Sequence, residues 1–255
     1  MRLVSYNILD GGTGRADPLA EILLAQQSDI IVLLETQDTA VIERIASRTK
    51  MDYARGGDER QSATVLSRWP IVESVDHGAL RGGLSKSLVE AIVRAPDGVE
   101  WPISAVHLHA GAFEEDERKR EAELAVVLDV FERYRRENRP HLLAGDFNAN
   151  APYQRIEPAK CKPSTQRAWE ANGGQIPRRV VQRLLDAGYA DTLRAVDEQM
   201  SATSVSFTTL HPGQRVDYVF SFGVDPSRVR SAWVELDRLA KYASDHYPVG
   251  VDLSV

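Results

Sequence analysis

At six places in this chain an apolar run ends in, or is interrupted by, a residue able to do acid, base or ligand chemistry. Asn7 lies near the end of Leu3-Val4-Ser5-Tyr6, Glu35 follows Ile31-Val32-Leu33-Leu34, and His107 interrupts Ala105-Val106-His107-Leu108. Asp146 and Asn148 follow Leu142-Leu143-Ala144-Gly145, Asp217 sits in Arg215-Val216-Asp217-Tyr218, and Asp245-His246 precede the last apolar run. Carboxylates and imidazoles are costly to bury unless they are paired or bound to a metal. Strand ends are rigid platforms on which such groups can be held for proton transfer or metal binding.

Taken singly, each residue has an ordinary structural role. Asn7, Asp146 and Asn148 suit turns, Asp217 a satisfied strand carboxylate, His107 a core histidine, and Glu35 a helix cap. Their order and company carry more than any one of them.

The elements that must position them read as follows. Leu3 to Ile8 forms a strand, Pro18 to about Gln27 a helix with Asp17 as N-cap, and Asp29 to Leu34 a second strand, together a βαβ unit. Val41, Ile42 and Ile45 recur at helical spacing over Thr39–Arg48. Short strands follow at Ala63–Leu66, Ile71–Val75, Leu88–Val93 and Trp101–Leu108, with turns such as Pro96-Asp97-Gly98 that mark antiparallel hairpins. Glu114 to Asn138 predicts a long helix with acids early and Arg133, Arg135 and Arg136 late, its charges an exposed face. A strand at His141–Ala144, a loop and helix over about Ala151–Gly188, and strands at Val205–Thr208, Val216–Phe222, Val229–Glu235 and Pro248–Leu253 complete the chain. Mixed strands with peripheral helices predict two packed sheets flanked by helices.

Bulk properties narrow the class. The 255 residues, 43% of them hydrophobic, predict one domain, since no polar linker divides them. Thirty-one basic against 37 acidic residues give a net charge of −6, without the basic excess of a protein that grips nucleic acid over its whole surface. The single Cys161 cannot form an internal disulfide, and no leader-like or membrane-spanning apolar run is seen, which predicts a cytoplasmic monomer.

Seven segments, in order, resemble the motifs of the endonuclease/exonuclease/phosphatase superfamily: Ser5-Tyr6-Asn7-Ile8, Leu33-Leu34-Glu35-Thr36, Leu66-Ser67-Arg68-Trp69-Pro70-Ile71, Val106-His107-Leu108, Gly145-Asp146-Phe147-Asn148, Arg215-Val216-Asp217-Tyr218 and Ser244-Asp245-His246-Tyr247-Pro248. Gly-Asp-Phe-Asn and Ser-Asp-His are the specific parts; Leu-Leu-Glu-Thr departs from the more usual Gln-Glu. The resemblance implies a four-layered α/β sandwich, two packed mixed β-sheets flanked by helices, with the site at one edge of the two sheets. It also implies hydrolysis of a phosphate ester assisted by Mg²⁺ or Mn²⁺.

Such a hydrolase must neutralise an anionic ester, position water and protonate a leaving oxygen. On the resemblance, Glu35 is a hard oxygen ligand, with Asn7 and Asp245 completing or supporting the metal shell. Asp146 orients or deprotonates water, Asn148 donates to a phosphoryl oxygen, Asp217 orients His246, and His107 donates to a non-bridging or leaving oxygen. Whether Asp146 or the Asp217-His246 pair is the base stays open. His109 is a rim residue, Arg120 an exposed helix-face ion pair, and His77, His141 and His211 are loop or strand-edge residues.

The exonuclease III-like branch usually presents a tyrosine where this chain has Val106-His107-Leu108. The His-Leu form is more similar to the branch of pancreatic-type deoxyribonucleases, sphingomyelinases and tyrosyl-DNA phosphodiesterases. A phosphodiesterase or nuclease is the first expectation, with a nucleic acid among the candidate partners. A phosphomonoesterase acting on a sugar or lipid headgroup phosphate is the alternative, and a catalytically silent binding module the third. Between Arg155 and Arg183 seven basic residues face two acidic ones, which predicts a cationic rim, with Arg178 and Arg179 in it, for an anionic substrate. Tyr153 and Trp169 are candidates to stack on a base or sugar.

Overall fold

The computed structural model describes residues 1–255 and contains twelve strands. In chain order they are β1 (Arg2–Asn7), β2 (Ile30–Leu34), β3 (Asp52–Gly57), β4 (Ser62–Ser67), β5 (Ile71–Asp76) and β6 (Leu88–Arg94). Then come β7 (Glu100–His107), β8 (His141–Asp146), β9 (Ala190–Asp191), β10 (Asp217–Phe222), β11 (Val229–Val234) and β12 (Val249–Leu253). One six-stranded sheet has the order β11-β12-β1-β2-β4-β3, the other β5-β6-β7-β8-β10-β9. Each contains one parallel pair, β1 with β2 and β7 with β8, and is otherwise antiparallel.

Alternation along the strands builds the layers. Leu3, Ile30, Val32, Ile103, Ala105, Leu142 and Ala144 turn into the space between the sheets. Their neighbours Val4, Tyr6, Ile31 and Leu33 turn the other way, against helices Ala16–Ala25, Thr39–Thr49 and Arg238–Ala243. On the second sheet Val106, Leu143 and Phe220 turn outward, against helices Glu114–Val130 and Arg179–Asp186. The period of two thus feeds three apolar clusters, and the order helix, sheet, sheet, helix is the four-layered sandwich. Runs such as Ile30–Leu34 are apolar throughout because both faces of the strand are covered. No helix is long and apolar enough to cross a membrane.

Several elements differ from the sequence reading. The first helix starts at Ala16, so Asp17 lies in its first turn rather than capping it, and its carboxylate accepts from Arg44 (2.9 Å) and Arg48 (3.0 Å). Asp38 is a true cap, accepting from the backbone N–H of Ala40 and Val41. The helix Glu114–Val130 does not expose all its charges: Glu117 and Arg120 are 0% and 1% exposed, paired at 2.9 Å. No ladder forms over Val205–Thr208, where Phe207 alone makes single bridges to Gln214 and His246. The segment after Asn148 carries two helices, Pro163–Ala171 and Arg179–Asp186, with irregular chain around them.

Candidate active site

The two parallel pairs bring the chemistry together, because parallel strands end on the same side. Asn7 closes β1 beside Leu34, so that Glu35, the next residue along, emerges next to it; His107 closes β7 directly opposite Asp146, which closes β8. Asp217 opens β10, which is antiparallel to β8, and is therefore also opposite Asp146. The approach to β12, antiparallel to β1, delivers Asp245 and His246 to the same edge.

Local backbone chemistry explains the motif residues. Gly145 has φ +149°, and a Cβ there would lie 1.9 Å from the carbonyl oxygen of Val106. The glycine therefore permits the close approach of β7 and β8 that sets His107 beside Asp146. Glu35 (φ 59°) and Asn148 (φ 48°) occupy the left-handed region without being glycines. Such strain concentrates where the surrounding fold must aim a side chain. For Glu35 the compensation is visible: its carboxylate accepts from the backbone N–H of Asp10 (2.8 Å) and from Asn7 Nδ2 (3.1 Å), and its carbonyl from Gly11 N–H (2.9 Å). Ser244 explains the serine of Ser-Asp-His, since its hydroxyl donates to the Asn7 carbonyl (2.7 Å) and accepts from His246 N–H (3.2 Å).

All eight candidate residues converge, in two ranks. Glu35, His107, Asp146, Asn148, Asp245 and His246 line one cavity, while Asn7 and Asp217 stand behind it. Asn7 Nδ2 donates to Glu35 Oε1 and Asp146 Oδ2 (3.2 Å), and its Oδ1 accepts from Leu9 N–H (3.1 Å). It supports the carboxylates from behind. Asp217 Oδ2 accepts from His246 Nδ1 at 2.9 Å, and the far nitrogen, Nε2, lies 3.7 Å from Asp146 Oδ2. His107 is 1% exposed, neither of its ring nitrogens has a hydrogen-bond partner, and its Nε2 lies 3.5 Å from Asp146. Asn148 gives one side-chain N–H to the Leu108 carbonyl (3.0 Å) and keeps the second for the cavity.

Charge distributes unevenly over this set. Burial pushes the Asp146 carboxyl up, but His246, His107 and the Asn148 N–H outweigh it and hold the group well below the usual carboxylate range. Burial would lower His246, yet the carboxylates of Asp217 and Asp146 raise it, so the imidazole holds its proton at neutral pH. For Glu35, burial is outweighed by the Asp10 N–H, His107 and Asn7, and the carboxyl lies below its ordinary value.

The same charges test whether a divalent cation fits. Asp245 is raised by burial, with His246 opposing and with Glu35 and Asp146 adding to the rise, so the carboxylates beside it in the cavity disfavour its ionisation. A hard cation on the oxygens of Glu35 and Asp245 would relieve that repulsion, and no cysteine is near to favour a softer metal. Asp146, Asp217 and His246 also lie close enough to enclose an ion, with ligand atoms within 4.8 Å. The hydrogen bond between His246 and Asp217 makes that trio better suited to holding a proton, because Nδ1 is already given to Asp217.

Elsewhere the sequence reading needs correction. Arg178 turns inward and donates to the carbonyls of Ala151 (2.6 Å), Pro152 (3.0 Å) and Gln154 (2.7 Å). Arg179 is paired with Glu114 and Glu121, so neither arginine is a free cation at a rim. Arg120, buried, donates to the carbonyls of His109 (3.0 Å) and Gly111 (2.7 Å) and so pins the loop after β7. His109 faces Asp116 (3.1 Å) and does not line the cavity. Tyr153 anchors its loop through Asp191 and lies under Arg194, and Trp169 does not line the cavity. His77 is buried against Glu90 (2.8 Å), and His141 is a core residue rather than a strand-edge one. The cavity does hold two lysines that motif reading passes over, Lys86 and Lys162, the second visible in the sequence only as one of seven charges in the loop.

Comparisons place this geometry among known folds. Residues 4–246 match the family model described as Endonuclease/Exonuclease/phosphatase family. Among solved structures, the 3′ phosphatase NExo from Neisseria bound to product DNA hairpin is similar with a TM-score of 0.74 at 20% identity, each chain covered over 100%. An AP endonuclease from Archaeoglobus fulgidus gives 0.73 at 17% identity, again over 100% of both chains. A humanized D. rerio TDP2 gives 0.69 at 16% identity, over 100% of this chain and 99% of that one. No curated protein matches the sequence significantly. With the motif order, the site and the sandwich all in agreement with a family model that spans nearly the whole sequence, the chain belongs to the endonuclease/exonuclease/phosphatase family.

Proposed function

We propose that the protein is a Mg²⁺- or Mn²⁺-dependent phosphodiesterase acting on nucleic-acid-type esters. The observation that carries this reading is the chain Asp217, His246, Asp146 facing one cavity with Glu35, Asp245 and an unpartnered His107. A cation on Glu35 and Asp245, when bound, would polarise a phosphoryl oxygen and offset the charge of the ester.

The residues divide the remaining work. Asp146, held ionised, accepts the proton of an attacking water or orients it, and Asn7 keeps its Oδ2 fixed. His246 carries a proton on each nitrogen; Nδ1–H is fixed by Asp217, which leaves Nε2–H to donate to a phosphoryl oxygen. That division leaves Asp146 as the base. His107 and the free N–H of Asn148 present further donors to the oxygens on which charge builds. A DNA ester is supported by neighbours described as bound to product DNA hairpin and as complexed with single strand DNA product.

A second reading is supported by one neighbour in particular. NExo is described both as a 3′ phosphatase and as a 3′-5′ exonuclease, so this fold serves a monoester and a diester. The test measures Mg²⁺-dependent release from bis(p-nitrophenyl) phosphate, p-nitrophenyl phosphate and single-stranded DNA, with Asp146→Asn as the control. Release from the diesters, lost in the variant, supports the proposal; release from the monoester alone supports the second reading. No release from any of the three would refute both.

A further inference from the structure

Lys162 is a half-buried lysine whose ammonium has no carboxylate within ion-pair distance. It lines the catalytic cavity, whereas Lys160 in the same loop is spent on Glu157 at 2.8 Å. Its Nζ stands 4.2 Å from the centroid of the Phe207 ring, and the same ring packs against the His246 imidazole with centroids 4.5 Å apart. One aromatic side chain therefore fixes the ammonium in the wall beside the residue that faces the reacting phosphate.

The ring face attracts the charged amine through its quadrupole but offers it no hydrogen-bond acceptor, so the three N–H donors of the ammonium stay unspent. The carboxylates whose charge acts on it are those of Asp245 and Asp146, which line the same cavity. Pro163, at the first position of the helix that follows, fixes the backbone from which the lysine projects. The amine is thus preorganised, directed at the cavity and left without a protein partner, which is the arrangement expected of a donor whose acceptor arrives with the substrate.

We infer that Lys162 binds a non-bridging oxygen of the substrate's reacting phosphate and positions it against Asp146 and His246. The inference rests on the proposed phosphoester hydrolysis and adds a residue that the family motifs do not contain. It makes Lys162 a phosphate-binding residue of the reacting centre, distinct from a rim cation that would meet only a neighbouring phosphate of a long substrate.

Two measurements on Lys162→Gln and Lys162→Arg test it, each with Mg²⁺ present and with thermal midpoints compared to confirm an unchanged fold. In the first, binding of inorganic phosphate is followed by calorimetry. The expected result is at least about tenfold weaker binding for Lys162→Gln and near-native binding for Lys162→Arg, as for loss and retention of a charge-assisted hydrogen bond. Equal binding by wild type and Lys162→Gln, or no binding by wild type, would overturn the inference. In the second, kcat/KM is measured on bis(p-nitrophenyl) phosphate, which has a single phosphate. A tenfold loss in Lys162→Gln, recovered in Lys162→Arg, supports the inference. A loss confined to an oligonucleotide would overturn it in favour of a contact to a flanking phosphate. Phosphate binding that depends on Lys162 in a protein that turns over no ester would refute the proposed function, and with it the role of Lys162 at a reacting phosphate, while leaving Lys162 as a ligand of bound phosphate.

Discussion

His141 opens the strand that carries Asp146, and its environment permits a stability prediction with a sign and a size. It is fully buried among Phe131, Tyr134, Tyr189 and Phe222, with ring centroids at 5.2–5.6 Å. Its Nδ1–H donates to the Arg139 carbonyl (2.9 Å) and its Nε2 accepts from the Tyr189 hydroxyl (2.7 Å), a pattern that fits the neutral ring. Burial pushes its pKa down from 6.5 to about 4. Below pH 6.5 the unfolded chain takes up a proton that the folded chain refuses, so stability falls with pH between about 6.5 and 4 and is fully present above that window. At about 1.4 kcal/mol per decade the whole interval is worth about 3 kcal/mol, and about 2 kcal/mol is lost by pH 5. Urea unfolding of wild type and His141→Gln at pH 7.5 and 5.0 isolates this contribution, because other titrating groups cancel between the two proteins. The variant, whose amide can keep both hydrogen bonds, is expected to be less stable at pH 7.5, and its deficit should shrink by about 2 kcal/mol at pH 5.0. A deficit that does not change with pH would refute the assignment of a buried neutral ring.

Three further outcomes are expected. Asp146→Asn and His246→Ala should each lower turnover about a hundredfold or more, the usual scale for a positioned acid or base, with near-UV circular dichroism unchanged; near-normal turnover in either would remove it from the reacting centre. Chelation should abolish activity and added Mg²⁺ or Mn²⁺ restore it, while Glu35→Gln should move the metal titration to higher concentration before it changes saturated turnover. Arg179→Ala should leave KM for DNA within about twofold, since that guanidinium is spent on Glu114 and Glu121, whereas Arg178→Ala should destabilise the fold by about 1–3 kcal/mol through three carbonyls left without their donor. Salt-dependent binding lost in Arg179→Ala would restore the cationic rim that its ion pairs argue against.

What the sequence made legible follows from periodicity. Apolar runs in β1, β2, β7 and β8 are unambiguous, and polar residues at their ends had to meet once two parallel pairs were stacked. The fates of the arginines were not legible, because whether Arg178 reaches solvent or three carbonyls depends on the path of a loop with no period. Arg120 misled for a related reason: charge on a helix reads as exposure, yet Glu117 neutralises it inside the protein. Local propensity places Phe207 in a strand, while tertiary context leaves it bridging Gln214 and His246, where its ring packs against the His246 imidazole.

The convergence of strand ends from both sheets also bears on how the protein acquires activity. Asn7 bonds across 139 residues to Asp146, and Ser244 across 237 to Asn7, so the candidate site is closed by contacts between distant parts of the chain. Loop-closure entropy delays such contacts until the shorter-range pairings are made. The complete centre is therefore among the last features to form during refolding, since β7, β8 and β10 by themselves bring together only His107, Asp146 and Asp217. Recovery of turnover in a refolding experiment should lag the return of secondary structure, which makes catalysis itself the most stringent reporter of the native state.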